Sequence, residues 1–531
     1  MPRRLIAVLV FLAVLIPSAH FAWKNRQMPQ FAYLHDDGIL FSSARTMTAN
    51  TYRIASLPDQ PLQTKFPPLY PLYLSAIWRL DPHFPENLPL ATFASWILLA
   101  GYLALAWAWY RQNQVPETRT WLLMALLGLN PYLIWFGSIL FSDIFFSCLL
   151  LAALLVVARG GARMAVAAGL LAGCAYLSRT SGIALLVAVP AFIVYKERDW
   201  RRATLFAAAM LPAVIGWGIW TRLYSPHTSD LTTMFYTDYV RYLQHTTWHD
   251  MPVILWKNID QLTYAMGSMV MPRVYDSPLL KILTQVIAVA MISGTVRLVR
   301  RGFGVLYAWF ALVSAAILLV CNFPSTERYM LPIYPLLLAG LFAEIEHVAQ
   351  MFKPALRHKD SSQRVAARLM AGVVATVLLA ALALQFFMAF VFLQASVDEK
   401  EAKLRDQKTA YAWIAANLPP SATILSYDDP LLYLYTGRHG IHQPLDPLWW
   451  YREDHASIRK TYRDLPEFCR KRGLDYIYFT TGDLGRETGE QDQREAQRLV
   501  EQNPELARVF TAGVGTLYKV GPAQPREQAA R

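Results

Sequence analysis

The chain has 531 residues, 55% of them hydrophobic and only 17% charged, with a mean hydropathy of +0.25. Soluble domains average ~25% charged residues, so this composition excludes an ordinary soluble enzyme and points to a membrane protein. The net charge of +12 does not mark a nucleic-acid binder, because the excess Lys and Arg lie in short connections between apolar runs, where they report topology.

About eleven runs approach the ~20 apolar residues that cross a bilayer core. In chain order they are Leu5–Ala22, Leu88–Trp109, Trp121–Phe136, Ile139–Val157, Met164–Leu177, Ile183–Tyr195, Leu205–Trp220, Ile282–Ile292, Gly304–Cys321, Met330–Phe342 and Leu369–Phe392. The first run, preceded by Arg3 and Arg4, also fits a cleavable signal sequence, whose removal would leave the remaining topology unchanged. One set of helix ends carries Arg3–Arg4, Arg111, Arg119, Arg159, Arg163, Lys196–Arg202, Arg297–Arg301 and Lys353–Arg368. The opposite short connections hold only the lone arginines Arg179 and Arg328. Positive residues mark the cytoplasmic side, so the N-terminus is expected in the cytoplasm. The Lys24–Asn87 loop, the Arg222–Leu280 loop and the tail after Phe392 then face the periplasm.

The tail from Ser396 reads as a separate soluble domain. Lys403–Leu418 has the pattern of an amphipathic helix ended by Pro419-Pro420. Ala422–Tyr427, Tyr476–Thr481 and Val514–Val520 read as strands, and Arg494–Val509 as a helix. Gln524–Arg531 is expected to fray. The expected fold class is a polytopic α-helical membrane protein of about 11 transmembrane helices, with a large periplasmic first loop and a C-terminal soluble α/β domain. The boundary falls between 1–395 and 396–531.

Six side chains stand out as candidates for chemistry. The first large loop begins His35-Asp36-Asp37-Gly38. One of two adjacent carboxylates can take a proton from an attacking hydroxyl while the other holds a metal or orients it. Asp-Asp-Gly is equally good turn chemistry. Lys65, in Lys65-Phe66-Pro67-Pro68-Leu69-Tyr70-Pro71, sits in a proline-stiffened bend and offers a point charge for a lipid phosphate, or simply snorkels to the interface. Asp143, at the outer end of an apolar run, reads as functional, with helix capping by Asp143 or Ser142 as the plain alternative. Arg179 and Arg328 run against the charge rule, and a guanidinium fork suits phosphate. The plain alternatives are a solvated cap for Arg179 and a local pair with Glu327 for Arg328. Asp428-Asp429-Pro430 in the tail reads as a turn and helix start. His245, His249 and Asp250 lie in the second large loop with weak spacing for a metal site, and Cys148, Cys174, Cys321 and Cys469 show none.

In their order, these motifs resemble the family C fold (GT-C) of membrane glycosyltransferases, in particular the bacterial relatives of protein O-mannosyltransferases and of the lipid A aminoarabinose transferase. The resemblance covers most of the chain. It rests on Asp36-Asp37, the Lys65–Pro71 segment, Ser142-Asp143, Leu177-Ser178-Arg179 and Glu327-Arg328-Tyr329-Met330-Leu331-Pro332, with Trp413-Ile414 and Tyr435-Thr436-Gly437-Arg438 in the tail. It implies an inverting glycosyltransferase of the bacterial inner (plasma) membrane, taking its sugar from a polyprenyl-phosphate-linked donor. The implied acceptor is a lipid, glycan or protein of the envelope; membrane lipids are the other partners. Asp36 or Asp37 would be the base or its orienting partner, and Asp143 would assist acceptor or metal. Lys65, Arg179 and Arg328 would hold the departing lipid phosphate. The family varies in metal dependence; no obligatory cofactor is expected, and a divalent metal stays open. The competing readings are a membrane transporter, whose ionisable residues would sit at the bilayer midplane, and a non-catalytic envelope scaffold.

Overall fold

Asn130 shows how local chemistry shapes the apolar segments. In the computed structural model, which describes residues 3–243, 246–273, 277–357, 361–485 and 488–522, the run Trp121–Phe136 is two helices, Glu117–Leu129 and Pro131–Phe136. The Asn130 carboxamide oxygen accepts from the N–H groups of Tyr132 and Leu133, both at 3.1 Å, and Pro131 takes the first helical position. That is a helix start written inside an apolar run, and it breaks the expected single span.

Seven helices among the described residues are long and apolar enough to cross a membrane: Leu5–Lys24, Leu88–Gln112, Thr180–Glu197, Trp200–Tyr224, Pro278–Arg300, Glu327–Met351 and Arg364–Asn417. Ser142–Val157, Ala162–Ser178 and Val305–Val320 are apolar but shorter. By its contacts the chain forms two units.

The first unit comprises Met1–Gln27, Pro89–Ile219 and Ile254–Ser396. Its helices meet through small residues, as in membrane bundles. Pro278–Arg300 and Tyr334–Arg357 approach so closely at Gly294 that a Cβ there would lie 1.8 Å from the Gly340 carbonyl oxygen. Ser142–Val157 and Ala162–Ser178 form a hairpin turned at Gly160 and Gly161, whose φ values of +76° and +83° suit glycine. The Arg222–Leu280 connection, expected as one loop, contains the helices Leu231–Thr237, Tyr239–Leu243 and Met251–Ser268. The last of these packs in the first unit, where Asn258 donates to the carbonyls of Leu318, Leu319 and Cys321.

The second unit gathers Met28–Leu88, Trp220–Val253 and Val397–Arg531, so the tail shares it with segments of both large connections. Its sheet has five strands: β1 Thr423–Ser426, β2 His439–Ile441, β3 Tyr476–Thr480, β4 Leu506–Ala512 and β5 Gly515–Val520. The order is β2-β1-β3-β5-β4, with β1 parallel to β2 and β3, and β5 antiparallel to β3 and β4. Leu425, Cys469, Ile477 and Tyr518 lie in one buried cluster. The expected strands therefore appear as β1, β3 and β5. The expected helix Arg494–Val509 is corrected: it ends at Glu501, before Asn503-Pro504, and Leu506–Ala512 forms β4. The expected amphipathic helix lies within Leu393–Asn417. Gln524–Arg531 lies outside the described residues. At the sheet edge, Gly440 N–H donates to the Ser56 carbonyl at 2.8 Å, joining β2 to the first large loop.

Candidate active site

Asp36 and Asp37 open the helix Asp36–Met47, where free N–H groups favour carboxylates. The expected solvated turn is thus the first turn of a half-buried helix. The chain enters it by a sharp reversal, with His35 at φ +63°. Asp37 is only 2% exposed, and its Oδ2 accepts from Ala32 N–H at 3.1 Å. Burial pushes the Asp37 carboxyl up to about 7; the Asp36 charge adds to this, and the backbone N–H bonds oppose it. The side chain of Asp36 is 23% exposed, and Lys65 Nζ lies 3.4 Å from its Oδ1.

Lys65 is held where it can meet that carboxylate. Gln63 Oε1 accepts from the N–H groups of Lys65 and Phe66, pinning the turn, and Tyr52 OH donates to the Phe66 carbonyl. The Lys65 ammonium is buried and lies 4.0 Å from the Phe235 ring centre, so it does not snorkel. After the bend at Pro67-Pro68 the helix Leu69–Leu80 starts, with Pro71 in its first turn, where no N–H is needed.

The second acidic pair reaches the same place. Asp428-Asp429 does start a helix, Asp429–Thr436, but no side-chain cap forms. Asp429 is fully buried, with its Oδ1 2.6 Å from His35 Nε2. Tyr236 OH donates to the same oxygen at 2.7 Å and accepts from His442 N–H at 2.8 Å. Burial and the Asp429 charge push the Tyr236 hydroxyl well above its usual range, which keeps it a donor. The fit is tight: a Cβ on Gly38 would meet Pro430 Cβ at 2.8 Å and Ala32 Cβ at 2.9 Å. His35, Tyr236 and Asp429 were not singled out from sequence as one cluster; the only local signal was a histidine directly before the acid pair.

The first unit brings together the other three candidates. The Gly160-Gly161 hairpin sets the start of one helix beside the end of the next, so Asp143 meets Arg179, at which Ala162–Ser178 ends. Arg179 Nη1 lies 2.7 Å from Asp143 Oδ1. Arg328 Nε lies 3.3 Å from Oδ2 and 3.4 Å from Oδ1 of the same carboxylate. Phe141 takes the N-cap position, without a side-chain bond, so neither Ser142 nor Asp143 caps the helix. Arg179 is no solvated cap: its side chain is 14% exposed and lies on Asp143. Glu327 reaches Arg273 at 2.6 Å and Ser268 Oγ at 2.8 Å. The Arg328 guanidinium also lies 4.5 Å from the Phe141 ring centre, and that of Arg179 lies 5.2 Å from the Tyr329 ring centre.

The structure thus brings Asp36, Asp37 and Lys65 together in the second unit, and Asp143, Arg179 and Arg328 together in the first. Of the weak metal motif, Asp250 is engaged by Thr247 and Arg452, and His245 lies outside the described residues. Among the described residues no three His, Cys, Asp or Glu side chains gather as a metal site.

No family model matches the chain, and no curated protein matches it by sequence. Solved structures do resemble it. The crystal structure of ArnT from Cupriavidus metallidurans bound to undecaprenyl phosphate aligns with 97% of this chain and 99% of its own, at 15% identity and a TM-score of 0.50. The archaeal oligosaccharyltransferase AglB from Archaeoglobus fulgidus, in complex with an inhibitory peptide and a dolichol-phosphate, aligns with 95% of this chain and 74% of its own, at 12% identity and a TM-score of 0.49. The arabinofuranosyltransferase AftD from Mycobacteria aligns with 98% of this chain and 40% of its own, at 15% identity and a TM-score of 0.42. The likeness to ArnT is one of fold: the chain has the GT-C fold of membrane glycosyltransferases.

Proposed function

We propose that this protein is an inverting glycosyltransferase that moves a sugar from a polyprenyl-phosphate-linked donor to a lipid, glycan or protein acceptor, at the outer face of the bacterial inner membrane. The observation that carries the reading is the pair of guanidiniums, Arg179 and Arg328, set on the buried carboxylate of Asp143 in the unit built of apolar helices. Ionisable groups among such helices mark function, and a planar fork is suited to phosphate. The fold likeness to ArnT, whose structure holds undecaprenyl phosphate, supports the same reading.

In the proposed reaction an acceptor hydroxyl attacks the anomeric carbon from the face opposite the phosphate. The new glycosidic bond forms as the sugar–phosphate bond breaks, and the acceptor's proton passes to the acid pair. Asp36 is the base of choice, because its carboxylate is partly open while Asp37 is enclosed. Lys65 orients Asp36, and Asp37 tunes it through its charge. Arg179 and Arg328 hold the leaving lipid phosphate, with Asp143 fixing their forks; such preset charge is often the largest catalytic contribution. Guanidiniums supply the neutralisation, so the reading requires no divalent metal. The N-terminus lies in the cytoplasm and the tail in the periplasm.

Mass spectrometry of envelope lipids and glycans from a deletion strain tests this. One saccharide unit should vanish on deletion and return with the wild-type gene, but not with Asp36→Asn. Full restoration by Asp36→Asn would remove the proposed mechanism.

A further inference from the structure

The helix Thr180–Glu197 widens in its last turn, where Ile193–Glu197 is a π-helix, and Arg198 follows at φ +57°. Such widened turns gather at functional sites. Here the turn forms one wall of a cavity of about 250 Å³ that lies wholly within the first unit. The other walls come from residues 109–113, 154–158 and 302–307. The volume is below the ~300–1,000 Å³ that encloses a whole drug-sized ligand, so it suits a single headgroup.

The lining is amphipathic. Leu154, Ile193 and Leu306 are buried, while Gln112 and Lys196 are exposed. Each wall also has an arginine directly beside its lining residues: Arg111, Arg159, Arg198 and Arg301. Among the described residues, Lys196, Arg159, Arg198 and Arg301 form no ion pair. The acids at these helix ends are engaged by other arginines: Glu197 by Arg202, Glu344 by Arg297 and Glu346 by Arg119. Asp199 accepts from Arg202 N–H at 3.0 Å. The field at the cavity mouth is therefore positive.

The level of the cavity in the bilayer selects a lipid. Tyr195 adjoins Lys196, Trp200 follows, and both are exposed. Exposed Tyr and Trp at helix ends sit among lipid headgroups. Farther along the two helices that bound the cavity, Val187 and Leu312 are exposed and apolar.

We propose that this cavity binds the phosphodiester headgroup of an anionic phospholipid, from the leaflet on the Lys- and Arg-rich side. Lys196 meets the phosphate, and the acyl chains run along Val187 and Leu312. Basic pockets between membrane helices favour such lipids. The site stands independently of the transferase reading.

Native mass spectrometry of the full chain in detergent tests the site, with phosphatidylglycerol, phosphatidylcholine and inorganic phosphate as probes. The wild type should retain phosphatidylglycerol over phosphatidylcholine, and inorganic phosphate should not displace it. Lys196→Ala should bind phosphatidylglycerol about fivefold more weakly, and Lys196→Arg should bind it as the wild type does. Arg163→Ala removes a charge from the same helix ends but from outside the lining, so it should also bind like the wild type. Equal retention of the two lipids, unchanged binding in Lys196→Ala, or equal losses in Lys196→Ala and Arg163→Ala overturns the proposal. Displacement by inorganic phosphate also overturns it and assigns the cavity to a soluble anion.

Discussion

Arg179 Nη1 sits 2.7 Å from Asp143 Oδ1, across a hairpin whose two helices are joined at Gly160-Gly161. The pair fixes a planar fork rather than a diffuse charge. Arg179→Ala and Arg328→Ala are each expected to lower sugar transfer by about 10²-fold, as loss of one preset electrostatic donor does elsewhere. Arg328→Lys should restore little, since an ammonium lacks the fork. Turnover of a labelled polyprenyl phosphate sugar in proteoliposomes checks this; wild-type rates in the lysine variant would exclude a bidentate role.

Asp36→Asn should cost about 10²–10⁴ in turnover, the usual contribution of a general base. Asp37 sets the pH response. As it ionises near pH 7, its charge raises the basicity of Asp36, so turnover should climb through about 7 as pH rises. Asp37→Asn, which mimics the neutral form, should lose that inflection. A rate–pH profile of both variants decides the assignment: an inflection that survives in Asp37→Asn assigns it to another group.

The same titration acts on stability, with the opposite benefit. The Asp37 carboxyl is raised from 3.8 to about 7 in the folded protein. Between those values the unfolded chain releases a proton that the folded chain keeps, so stability falls as pH rises through the window and levels off above it. Asp37→Asn should therefore melt higher than wild type near pH 8, with the gap closing toward about pH 4. Thermal scans in detergent at several pH values give the answer, and a gap independent of pH would contradict it.

Asp429→Ala removes the partner of both His35 and Tyr236. Each buried polar group left unmet costs about 1–3 kcal/mol. Turnover should fall as well, since His35 is the residue from which the acid-pair helix starts. A double-mutant cycle with His35→Ala should show coupling; strictly additive losses would mean that the contact does not position the pair.

Gly294→Ala places a methyl group where the Gly340 carbonyl already lies 1.8 Å away, so the helices must part. Overpacking of this kind costs about 1–3 kcal/mol. Gly216→Ala, which meets nothing within 4 Å, is the control and should melt like wild type.

Much of the candidate site is legible in the sequence because its residues break a local rule. Asp143 is an acid in an apolar run, and Arg179 and Arg328 are cations on the wrong side of the charge pattern. Asp36-Asp37 is a doubled acid after a span. What stayed hidden obeys its local rules: Asp429 looks like an ordinary helix start and is one, and its meeting with His35 leaves no trace beyond the histidine directly before the acid pair. β2 has three residues, too few for an alternation to register, and the start of β4 continues the apparent helical pattern of Arg494–Val509, whose one break is Pro504.

The bond between His35 and Asp429 spans 394 positions of chain. At ~5–20 residues per second, a ribosome needs roughly 20–80 s to make the second partner after the first. Through that interval the acid-pair segment has already emerged, with Lys65 beside Asp36 but without the Asp429 carboxylate that His35 meets. The last quarter of the chain is therefore an assembly step for its beginning. A ribosome stalled before residue 429 would leave the helices complete and the acid pair without its buried anchor.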